Sequence, residues 1–115
     1  MPDTLTSSVF AKRLKQARLR SGLTQEQLGV LAGIDEFSAS ARINQYERGK
    51  HLPHVLTGQR LARALHVPTS FLYEEDDLLA VLLTVSARLT REKTKTLLAK
   101  AETLAQFSPP SRKPK

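Results

Sequence analysis

Two stretches of this chain carry side chains able to read nucleic-acid bases: Leu23-Thr-Gln-Glu-Gln-Leu-Gly-Val-Leu-Ala-Gly-Ile34 and, after a polar spacer, Arg42-Ile-Asn-Gln-Tyr-Glu-Arg-Gly-Lys50. In the second stretch Ile43 and Tyr46 are three apart and face inward on a helix, which turns Arg42, Asn44, Gln45 and Arg48 outward. Side-chain amides pair bidentately with adenine, and guanidinium with guanine, in the DNA major groove. A helix presenting these groups points to sequence-specific DNA binding, whereas the same residues without a partner form only a solvated face. What decides between the two is the setting that positions them.

The charge balance favours a polyanion. The chain has 115 residues and a formal net charge of +7, with a pI near 10.2. Lys12, Arg13, Lys15, Arg18 and Arg20 crowd the first helical stretch, and Arg42, Arg48 and Lys50 lie in the second reading segment. The acidic run Glu74-Glu-Asp-Asp77 separates this part from the C-terminal third of the chain. Positive charge thus gathers near the reading surface, as phosphate neutralisation requires. The absence of cysteine excludes disulfides, thiol catalysis and cysteine-based zinc sites. His51 and His54 flank Pro53 with no carboxylate nearby, so neither they nor His66 suggests a metal site, and no cofactor is expected. No nucleophile, base and orienting acid come together, so an enzyme is not expected. With no leader-like N-terminus and no apolar run of about 20 residues, the expectation is a cytoplasmic protein with no membrane partner.

The positioning elements follow from periodicity and caps. Residues 1–7 read as a frayed end, and a helix begins about Ser8 with Phe10, Leu14 and Ala17 on one face and Gly22 as its left-handed stop. Thr24 opens the next helix, with Gln27 completing a capping box. Leu28, Leu31 and Ala32 form its buried stripe, Gly33 ends it, and Ile34 enters the core. The segment 35–41 is polar and small apart from Phe37, and Ser38 or Ser40 is expected to cap the third helix. Gly49 closes that helix, Pro53 marks a loop, and Leu56, Leu61, Ala64 and Leu65 define a fourth. Val67–Tyr73 reads as a short fifth helix capped at Thr69. Two further stretches, 77–89 and 91–107 with Thr90 as cap, form a candidate helical hairpin. Leu78, Leu79, Val81, Leu82, Leu83 and Val85 of the first spread over more sides than one core needs, and Leu97, Leu98, Ala101, Leu104 and Ala105 keep helical spacing in the second. Such faces imply a partner surface. Residues 108–115, rich in Pro and basic, read as a disordered tail.

In order and spacing these elements resemble the Cro/cI-like, or Xre, family of helix-turn-helix regulators over residues 9–73. The likeness rests on Arg18, Gly22-Leu-Thr-Gln-Glu-Gln-Leu28, Gly33-Ile34, Ile43, Glu47-Arg-Gly-Lys50 and Leu61-Ala-Arg-Ala-Leu-His-Val67. The resemblance implies an all-α chain with a five-helix lambda-repressor-like DNA-binding domain at 8–73, here followed by a helical dimerisation extension at 76–107. It implies transcriptional control through dimeric binding to a palindromic operator. Carried over by motif, Gln25, Ser40, Ala41, Arg42, Asn44 and Gln45 take base-reading positions. Arg48 and Lys50 take phosphate positions, to which Lys12, Arg13, Thr24 and Ser38 are added as candidates, although Ser38 and Ser40 also compete as helix caps. Arg18 and Glu47 match a structural ion pair. Two departures stand out. The spacing from Gly33 to Glu47 is about four residues longer than usual, close to one helical turn, so either the third helix gains a turn or its leading loop bulges. Gly29 stands where the family has alanine, which predicts a small loss of helix stability and no change of fold.

Three functions compete on this reading. The leading one is a homodimeric repressor that binds double-stranded DNA through its third helix, with Leu78, Leu79, Val81, Leu82, Val85, Leu97, Leu98 and Leu104 forming the dimer interface. The second is an antitoxin-type protein whose C-terminal helices bind another protein and whose DNA binding serves autoregulation. The third is a sequence-blind binder driven by charge and tail.

Overall fold

The structure, a computed structural model, describes residues 4–108; the expected basic tail lies almost wholly outside them. In chain order the elements are α1 (Thr4–Ser21), α2 (Gln25–Leu31), α3 (Glu36–Glu47), α4 (Val55–Leu65), a 3-10 turn (Thr69–Tyr73), α5 (Asp77–Ser86) and α6 (Arg91–Ala105). The described residues are all-helical, without strands. One core joins Phe10, Leu14 and Ala17 of α1, Leu28 and Ala32 around α2, Ile43 and Tyr46 of α3, Leu61, Ala62 and Leu65 of α4, and Phe71 and Leu72 of the 3-10 turn. Phe10 is its hinge, edge-on to Tyr46 and tilted against Tyr73.

Several ends differ from the sequence expectation, each for a local reason. The first helix starts at Thr4 rather than about Ser8, because Ser7 is buried against the backbone turn at Gly49. Packing there holds a first turn that sequence alone leaves frayed. The α2 capping box forms as expected, with Thr24 Oγ1 accepting from the Gln27 backbone and Gln27 Oε1 from the Thr24 backbone. The third helix is capped by Asp35, whose carboxylate accepts from the Phe37 N–H at 3.1 Å. Ser38 and Ser40 lie inside the helix and cap nothing. The last element of the compact domain is 3-10, entered from Pro68, and Thr69 makes no side-chain cap bond there.

The additional residues between Gly33 and Glu47 lengthen α3 and do not loop out. This turn carries Ala39, fully buried, across Gly29 of α2. A Cβ at position 29 would lie 2.6 Å from Ala39 Cβ, 3.0 Å from its Cα and 3.1 Å from its carbonyl oxygen. The two departures from the family pattern are therefore one feature. The lengthened helix passes so close to α2 that only glycine fits, which corrects the expectation that Gly29 is merely a weaker helix former.

The C-terminal part stands largely outside this core. Asp76 caps α5, its Oδ1 accepting from the Leu78 and Leu79 N–H groups, and Thr90 caps α6. Yet α5 ends at Ser86, and α6 makes no substantial contact with any other element. Ala80 is the single buried residue of α5, set into the core, and α6 has none. The molecule is consequently elongated, 49 × 32 × 31 Å.

Candidate nucleic-acid interface

The third helix is held from behind by charge. Arg18 of α1 donates from Nε and a terminal nitrogen to the two carboxylate oxygens of Glu47 at 2.6 and 3.0 Å, and its other terminal nitrogen donates to the Leu23 carbonyl at 2.9 Å. The Glu47 side chain is 3 % exposed. A largely buried bidentate pair with a further donor held by a backbone carbonyl fixes orientation. Here it ties the end of α3 to α1 and to the turn entering α2. Gln25, in the first turn of α2, donates its amide N–H groups to Glu47 Oε1 at 3.1 Å and to Asn44 Oδ1 at 3.4 Å. That contact occupies one lone pair of the Asn44 oxygen and leaves its NH₂ group and the Gln25 carbonyl for a ligand.

Along α3, Ala39, Ile43 and Tyr46 are buried, so the opposite side of the helix is the free one. Ser38, Ser40, Ala41, Arg42 and Gln45 are exposed and Asn44 is half-buried. At 100° per residue, Ala41 and Arg48 run down the centre of that side, Asn44 and Gln45 flank them on opposite sides, Ser38 and Ser40 stand at its margins, and Arg42 lies beyond the margin, exposed but nearer the core-facing side. Arg48 is the C-cap residue of α3, and Lys50 follows with its backbone N–H bonded to the Gln45 carbonyl; both side chains are exposed. Thr24 is exposed at the start of α2. The structure therefore gathers Gln25, Asn44 and Glu47 into one hydrogen-bonded group, with the α3 face and two cations beside it.

Two basic residues do not join this surface. Arg13, expected at phosphate, is 2 % exposed. Its guanidinium donates to the carbonyls of Glu74 (2.7 Å) and Glu75 (3.3 Å) and to Gln16 Oε1 (3.3 Å), pairs with Asp77 at 2.9 Å, and lies 5.6 Å from the centre of the Phe71 ring. It is a bracket between α1 and the start of α5, a correction with a plain cause: each of its three nitrogens already has a partner within the chain. Lys12 is exposed but turned to Asp77 at 3.1 Å. Together they hold the Asp77 carboxyl below its ordinary value, chiefly through the Lys12 hydrogen bond and then that of Arg13.

Sequence reasoning missed three residues that matter here: Asp35, Gly29 and Phe37. In the sequence Phe37 is only an exception in a polar segment, yet it falls on the free face of α3, four residues before Ala41, and is 92 % exposed. The signal lies in the phase of Ile43 and Tyr46, once extended back through the added turn. Among the described residues no group of three potential metal ligands occurs, and no helix is long and apolar enough to cross a membrane.

Comparison with known proteins agrees with this geometry. The helix-turn-helix family matches over residues 14–72, the span from α1 through the 3-10 turn. The crystal structure of the transcriptional regulator BswR superposes with a TM-score of 0.76 at 48% identity, covering 85% of this chain and 98% of that one. Such coverage is too large for the compact domain alone and reaches into the C-terminal helices. No curated protein matches.

Proposed function

Because the chain belongs to the Xre/Cro-cI type of helix-turn-helix DNA-binding transcriptional regulators, we propose that it acts as a homodimeric repressor that reads a palindromic operator with α3. Each subunit lays the free face of α3 in a major groove, where Gln45, the Asn44 amide and Arg42 address base edges while Gln25 supports Asn44. Arg48, Lys50 and Thr24 hold the flanking phosphates and set the depth of entry. Occupying a promoter-proximal site in this way would block polymerase, which is how a binder with no catalytic group represses.

The observation that carries the dimer is α6. A 15-residue helix with no buried residue is marginal alone in water, and here Leu98 and Leu104 are exposed beside a fully helical backbone. On α5, Leu78, Leu79, Val81, Leu82 and Val85 are exposed as well. Two copies that bury these faces on each other place two α3 helices on one side of a duplex. The antitoxin-type reading rests on the same apolar faces, occupied by a different chain. Sedimentation of the purified protein alone and with duplex DNA tests the choice: a dimer in both samples, bound two chains per duplex, supports the proposal, and a monomer that binds DNA singly contradicts it.

A further inference from the structure

The proposed face of α3 ends, at its N-terminal turn, on an apolar side chain that neither the core nor the family pattern explains. Phe37 is the most exposed large hydrophobic residue described, at 92 %. It does not fold into the neighbouring apolar groove between α2 and α3, which is lined by Leu23, Val30, Leu31 and Glu36. Nor is it a frayed end. Asp35 fixes its backbone N–H, and two residues on, Ala39 is locked against Gly29, so the ring stands on a rigid turn. Helical phase puts it in line with Ala41 and Arg48.

A groove offers such a ring one chemically distinct target. Of the groups displayed in the major groove, hydrogen-bond donors and acceptors suit the amides and guanidinium further along α3, and the single apolar group is the C5-methyl of thymine. The N-terminal end of a reading helix is also the end that reaches base edges. We propose that Phe37 is a specificity-determining residue that packs on a thymine methyl in each half-site, so that the added turn of α3 extends the recognised sequence by at least one A·T pair. This inference rests on the DNA-reading role of α3.

The test removes the methyl alone. Duplexes retained by the full chain from a random pool are resynthesised with deoxyuridine in place of each thymine in turn, which leaves every hydrogen-bonding group intact, and binding is titrated with the wild type and with Phe37→Ala. Burying one methyl-sized group predicts a wild-type loss of about fourfold per contacted thymine, or roughly fifteenfold when both half-sites are changed. Phe37→Ala should bind the parent duplex more weakly, be indifferent to the same uracil substitutions, and keep the thermal stability of the wild type because the ring is outside the core. Overturning results are a wild type insensitive to every uracil substitution, equal sensitivity in the variant, or a variant whose defect is loss of self-association with the uracil response intact. Failure to retain any preferred duplex would instead strike the underlying reading of α3, before Phe37 is reached.

Discussion

Replacing Gly29 with alanine sets two effects against each other. Inside a helix, Gly→Ala gains about 1 kcal/mol from propensity alone, so the ordinary expectation is a more stable protein. In this fold the new methyl would stand 2.6 Å from Ala39 Cβ, well inside the ~3.5–4.0 Å at which carbon atoms attract. Side-chain rotation cannot relieve it, because the next contacts are Ala39 Cα at 3.0 Å and its carbonyl at 3.1 Å. Either α3 moves by about 1 Å or the pair stays overpacked, and insertions of this kind cost about 1–3 kcal/mol. With backbone on both sides the cost belongs at the upper end. The net for Gly29→Ala is then a loss of about 1–2 kcal/mol, a fall in Tm of about 4–8 °C for each kcal/mol in a domain of this size. Since the displaced element is the helix proposed to read DNA, DNA affinity should fall as well. Urea unfolding with DNA titration of the same samples measures both. A variant stabilised by about 1 kcal/mol with unchanged DNA binding would refute the claim that the lengthened helix requires glycine beneath it.

Other perturbations separate structural charge from reading charge. Glu47→Ala strands the buried Arg18 guanidinium and should cost about 3–5 kcal/mol in denaturant unfolding, with loss of DNA binding in consequence. Arg13→Met removes charge-assisted bonds to two carbonyls and should cost about 2–3 kcal/mol while leaving the salt dependence of DNA binding unchanged; Lys50→Ala should do the reverse, lowering the salt slope by about 1 with wild-type stability. Asp77, whose carboxyl is held below its ordinary value of 3.8, binds protons more readily in the unfolded chain. Its contribution is fully present above that value and is lost as pH falls through the lower folded value. Between pH 7 and pH 3 the unfolding midpoint should therefore drop further in the wild type than in Asp77→Asn.

Much of this was legible in the residues. The phase of Phe10, Leu14 and Ala17, the Thr24–Gln27 box and the Ile43–Tyr46 pair place α1, α2 and α3, because local hydrogen bonds and apolar spacing are written in adjacent residues. The start of α3 was not legible. Asp35, Ser38 and Ser40 are all competent caps, and the choice among them is made by the fit of Ala39 on Gly29, a contact between separate helices. Arg13 shows the opposite case: three residues from Phe10 it shares the inward phase, but its charge argued for solvent, and only the carbonyls of Glu74 and Glu75, some sixty positions on, justify its burial. The C-terminal helices mark a third limit. Spacing shows that Leu97, Leu98 and Leu104 share a helix side, and cannot show whether the chain covers its own side or another copy does.

The central claim, a dimer that reads bases through α3, is tested most directly by selecting from a random duplex pool with the full chain at near-physiological salt and sequencing what is retained. The account predicts an enriched palindrome with half-sites about one helical turn apart, whose preferred bases change when Asn44 or Gln45 is replaced by alanine. Retention of DNA with no enriched sequence, or a motif unaltered by both replacements, would contradict it.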